Sequence, residues 1–144
     1  MTVTAFTGHR PNKLGGYSRP VLHSLVVLAE QALDDFAVSK AIVGMALGWD
    51  QAVAQACVNR RVPFIAAIPF VGQESRWPDE SRQTYARLMA QAESVVTVSP
   101  GGYSVAAMHR RNEWMVDHAV RLVSLHDGTN GGTGACVNYA RSRG

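Results

Sequence analysis

The strongest constraint on this chain is its rhythm, in which short apolar runs alternate with longer segments whose apolar residues recur at helical spacing. Residues 3–7, 41–45, 62–70, 94–98 and 121–125 read as strands. Residues 21–36, 50–60, 83–91, 105–119 and 135–141 read as helices, the first with Leu22, Leu25, Val26, Ala29, Leu33 and Phe36 on an apolar stripe. Such alternation requires βαβ units and parallel strands. The strand runs are apolar throughout rather than at every second position, as expected where helices cover both sheet faces. The expected fold class is α/β: one domain over residues 1–144, with a mainly parallel sheet of about five strands and helices on both faces.

Composition removes several alternatives. With 144 residues, 47% hydrophobic and 17% charged, the chain can bury one core without staples. Cys57 and Cys136 are far apart and lack partners at ligand spacing, so neither a disulfide framework nor a metal site is expected. The N-terminus has no basic region of a signal peptide, and no apolar run approaches the ~20 residues of a membrane helix. A cytoplasmic protein without membrane contact is the expectation. The formal charge of +3 comes almost wholly from arginine, since Lys13 and Lys40 are the only lysines. Arginine suits phosphate, but the charges form no stripe, so a nucleic-acid partner is not expected.

The polar and glycine-rich residues fall where the strands end, the side on which open α/β sheets bind ligands. The first strand ends in Thr7, Gly8, His9 and Arg10, the second in Gly44, Met45, Gly48 and Asp50. The third leads to Arg76 and Trp77, and the fifth to Asp127, Gly131, Gly132 and Thr133. Gly8, Gly44 and Gly48 let backbone approach a ligand. The turn at residues 131–133 opens a helix whose free N–H groups and dipole favour phosphate. Arg10 and Arg111 can clamp phosphate oxygens, Asp50 can accept from ribose hydroxyls or cap its helix, and Trp77 can stack on a base or cover the core. On the helix at 105–119, Arg111 and the polar Asn112 border an apolar face, so they either tie down a loop or touch the ligand. Arg111→Ala and Thr133→Val are expected to weaken nucleotide binding with little loss of folding.

The segments Thr7-Gly8-His9-Arg10-Pro11, Gly44-Met45-Ala46-Leu47-Gly48-Trp49-Asp50-Gln51, Arg76-Trp77-Pro78, Arg111-Asn112-Glu113-Trp114 and Gly131-Gly132-Thr133 resemble, in order and spacing, the YpsA-like branch of the SLOG superfamily. That superfamily includes LOG-type nucleotide phosphoribohydrolases, DprA-like DNA-processing proteins and nucleotide sensors of bacterial defence. The resemblance implies a Rossmann-like fold and a nucleotide-built ligand, such as an ADP-ribose or NAD derivative or a cyclic nucleotide, together with homo-oligomers. Arg111 looks like the arginine that LOG-type enzymes keep on this helix. Their motif PGGxGTxxE ends in a glutamate that serves N-glycosidic cleavage, and here Cys136 stands at that position.

The function expected from this pattern is binding of a nucleotide-derived signal by a sensor or sequestering protein, with a link to phage–host defence, and without a cofactor. One alternative is an N-glycoside hydrolase acting on nucleotides, with Asp50, Glu74, Glu113 or Asp127 as the carboxylate such cleavage needs. The other is a DprA-like nucleic-acid-binding protein.

Overall fold

In the computed structural model, residues 3–9, 14–16, 18–125 and 131–144 are described. Five strands alternate with five helices: β1 (Val3–Gly8), α1 (Arg19–Asp35), β2 (Lys40–Val43), α2 (Trp49–Arg60), β3 (Phe64–Ile68), α3 (Asp79–Gln91), β4 (Ser94–Thr97), α4 (Val105–Asp117), β5 (Arg121–Leu125) and α5 (Gly132–Ser142). The strands form one parallel sheet in the order β4-β3-β2-β1-β5. The chain is a Rossmann-like α/β domain.

The strand order dictates where the helices lie. From β1 to β4 the chain steps one way along the sheet, so right-handed crossovers put α1, α2 and α3 on one face. From β4 to β5 it returns across the sheet, which sends α4 to the other face. The packing agrees: α2 contacts α1 and α3, while α4 contacts α5. Strand alternation splits the core accordingly. Phe6, Ala41, Val43, Phe64 and Ala66 pack with Leu25, Ala29, Val53 and Leu88 on the first face, and Ala5, Ile42 and Ala67 pack with Met115 on the second. The direction of winding changes between β1 and β5, and that switch point is where such sheets form a crevice.

Element boundaries differ from the expected ones for local reasons. α1 begins two residues early because Ser18 caps it, accepting from the Val21 N–H, with Pro20 in the first turn. β3 is trimmed by Pro63 and Pro69, which cannot donate to a ladder. α3 starts at Asp79 rather than at residue 83, because Pro78 sits at its N-cap and Asp79 and Glu80 fill its first turn with charge that suits the dipole. α5 starts at Gly132, three residues earlier than the pattern indicated. Edge strands β4 and β5 are half-exposed, unlike the buried β1, β2 and β3.

Candidate functional site

The C-terminal strand ends converge on Gly44. This residue follows β2, and a Cβ on it would stand 2.6 Å from Arg111 Nη1 and 2.9 Å from Asp50 Oδ2. Any larger residue would require one of these two charged groups to shift. The next residue, Met45, is fully buried with φ 65°, a left-handed conformation that costs a side-chain-bearing residue energy. The turn then reaches Gly48, the N-cap of α2, which offers that helix no side-chain cap. Asp50, 7% exposed, accepts from the Ala46 N–H at 3.1 Å, closing the turn on itself. Asp50 therefore lies inside the first turn of α2 rather than at its cap position.

Arg111 is the hub. It is 4% exposed and comes from α4 on the far face of the sheet. Its Nη1 donates to the carbonyls of Gly44 at 2.6 Å and Ala67 at 3.4 Å, joining the ends of β2 and β3. Its Nε donates to Asn112 Oδ1 at 2.8 Å, and Asn112 Nδ2 donates to the Gly132 carbonyl at 3.5 Å. Of the two roles open to Arg111 and Asn112, tying down loops is the one these bonds perform. They connect the β2 turn to the start of α5. Removing a buried guanidinium of this kind is expected to cost folding, which runs against the expectation that Arg111→Ala spares the fold.

At β1, Thr7 and His9 are buried, and a Gly8 Cβ would stand 2.3 Å from Trp49 Cδ1. His9 is not a solvated loop residue: its N–H donates to the Leu125 carbonyl and its carbonyl accepts from the Trp49 N–H. Thr7 hydrogen-bonds the Cys136 thiol. Burial pushes that thiol up to about 11, partly opposed by the Thr7 bond, so Cys136 is a neutral, buried group where the LOG-type motif has its carboxylate. At α5, Gly131 is the N-cap and supplies no side-chain bond, and no acidic residue occupies the first turn. Gly131 and Gly132 are exposed, and no described atom lies within 4 Å of where a Cβ would stand on either.

The structure thus brings together Thr7, Gly8, His9, Gly44, Met45, Gly48, Asp50, Arg111, Asn112, Gly131, Gly132 and Thr133. Arg10 and Asp127 lie outside the described residues. Arg76 is exposed on the loop after β3, and Trp77 packs edge-on against Tyr85 with ring centroids 5.4 Å apart. That loop contributes a residue the sequence did not mark: Gln73 Nε2 donates to the Gly44 carbonyl at 3.2 Å and lies 3.3 Å from the Tyr85 hydroxyl. Neighbouring Glu74 buries its Oε1 without a hydrogen-bond partner. No spacing rule marks Gln73, because the partners it meets are remote in sequence.

Among the described residues no His, Cys, Asp and Glu cluster could hold a metal ion. No described helix is long and apolar enough to cross a membrane. A cavity of about 700 Å³ lies at the opposite end of the second face, between the C-terminal ends of α4 and α5 and the start of β5. Asp117 and Arg143 in its lining pair with each other at 3.4 Å, and Arg121 and Arg141 line it as well.

Against known proteins, the chain is 34% identical over 117 residues to the SPbeta prophage-derived protein YoqJ of Bacillus subtilis (strain 168), covering 69% of this chain and 68% of that one. Among solved structures it resembles DNA processing protein A (DprA) of Streptococcus pneumoniae, with a TM-score of 0.71 at 15% identity over 98% of this chain. The likeness spans 47% of the length of that protein. DprA of Helicobacter pylori, described for its single-stranded DNA binding mode, gives a TM-score of 0.67 at 15% identity, covering 98% of this chain and 61% of that one. The model of the YspA SLOG family matches residues 4–141, and the chain belongs to that family.

Proposed function

We propose that the chain binds a nucleotide or nucleotide-derived signal at the β1/β5 switch point and holds it rather than turning it over. The observation that carries this reading is the start of α5. It is an uncapped helix N-terminus lined by glycine, free of acidic residues and held in place through Asn112 by the Arg111 network. Backbone N–H groups and the helix dipole there attract a phosphate, and the missing side chains at 131 and 132 admit it closely. The neutral thiol at Cys136 supports binding without cleavage, since glycoside hydrolysis needs a carboxylate at the sugar. The prophage-derived name of one relative supports a sensor or sink in phage–host conflict. The half-exposed edges of β4 and β5 support a homo-oligomer.

One observation favours a second reading. The unpartnered Glu74 Oε1 is a carboxylate oxygen not committed to the fold, as an N-glycoside hydrolase would need. Titration of the chain with ADP-ribose, NAD, cyclic nucleotides and single-stranded DNA, with chromatography for released base, separates the readings. The proposal expects saturable nucleotide binding with no free base. Base release that vanishes in Glu74→Gln would establish the hydrolase, and DNA binding without nucleotide binding would establish the DprA-like role.

A further inference from the structure

A groove of about 640 Å³ runs between α1, α2 and α3 on the first face, within the size range of small-ligand sites. Its walls are apolar where Leu22 and Val26 of α1 face Leu88 of α3. Its charged residues, Arg19 and Glu80, are exposed and pair with each other at 3.6 Å, His23 is exposed beside them, and the remaining polar groups are neutral donors and acceptors. Gln51 buries its Nε2 without any hydrogen-bond partner, a donor left for something outside the fold. Gln55 spends its own N–H on Asn59 at 2.9 Å, which leaves its carbonyl oxygen as an acceptor. Ser81 and Thr84 add hydroxyls from α3.

The groove is continuous with the strand-end site. Leu47 and Gly48 form part of its wall, and the same turn begins at Gly44 against Arg111. A mostly apolar slot whose uncharged donors and acceptors lie beside a self-paired, exposed ion pair fits a nitrogen heterocycle, whose faces are apolar and whose edge carries both hydrogen-bonding roles. We propose that this groove holds the nucleobase of the ligand, while its phosphate lies toward the start of α5. The assignment rests on the nucleotide-binding reading above, and it makes the α1–α2–α3 face the part that selects the base.

The test uses two variants that fill the groove from opposite walls, Leu22→Trp and Ser81→Trp, both at positions outside the buried core. Calorimetry with ADP-ribose, adenosine and ribose 5-phosphate is read together with amide chemical shifts. The wild type is expected to bind ADP-ribose at least tenfold more tightly than ribose 5-phosphate. Each folded variant is expected to lose at least tenfold for ADP-ribose and adenosine while keeping its affinity for ribose 5-phosphate. If ribose 5-phosphate binds and both variants keep full ADP-ribose affinity, the groove assignment is overturned and the nucleotide reading stands. If adenosine alone shifts the groove amides and no phosphate ligand binds, the strand-end phosphate site is overturned instead. Absence of binding to all three overturns both.

Discussion

Gly44 and Arg111 show how tightly single residues are specified here. A methyl group at Gly44 would press on the guanidinium and on Asp50, neither of which can retreat without breaking the bonds that close the turn. Gly44→Ala is expected to cost about 1–3 kcal/mol, read as a lowered denaturation midpoint. Arg111→Ala leaves the buried Asp50 without its neighbouring cation and should cost on the order of 3–5 kcal/mol. Arg111→Lys should recover only part of this, because an ammonium lacks the planar fork that reaches Gly44, Ala67 and Asn112 together. Unfolding curves of the three variants check both statements. The motif residues were legible in the sequence because glycine and arginine at strand ends have few uses. What Arg111 does was not legible, since its carbonyl partners lie 67 and 44 residues away.

The secondary structure was legible as a set of elements, and the misses have one cause. Apolar periodicity marks the buried part of a helix, whereas capping residues and polar first turns set its start. Thus Ser18 and Pro20 brought α1 forward, and Asp79 and Glu80 brought α3 forward. The start of α5 was read as loop because Gly132 and Gly134 are poor helix formers. A carboxylate there is expected to favour the helix dipole by about 0.3–1 kcal/mol. Thr133→Glu should therefore unfold at the same temperature as the wild type or slightly above it, checked by circular dichroism. A lower midpoint would show that Thr133 has a structural role the helix terminus does not reveal.

At the scale of the molecule, the order β4-β3-β2-β1-β5 places one helix layer on each face and leaves a single reversal of winding, at β1 and β5. The alternation of elements predicted both layers, but strand order is a long-range property that periodicity does not encode. The fold also has a pH signature. Burial holds the thiols of Cys57 and Cys136 at about 12 and about 11, against 9.0 for a free thiol. Below pH 9 both remain protonated in either state, and stability is insensitive to them. Between pH 9 and about 11–12 the unfolded chain loses protons that the folded chain keeps, so stability falls as pH rises. The slope reaches about 1.4 kcal/mol per pH unit for each thiol. Denaturant melts at stepped pH should show this decline, and a Cys57→Ala, Cys136→Ala variant should show less of it.

Whether the start of α5 receives the phosphate of a nucleotide is decided by a calorimetric titration of ADP-ribose into the wild type and into folded Thr133→Glu. A new negative charge at an anion site should abolish binding while the helix stays intact. Saturable binding to the wild type and at least a tenfold loss in the variant are expected. Equal binding to both would contradict a phosphate site at the start of α5.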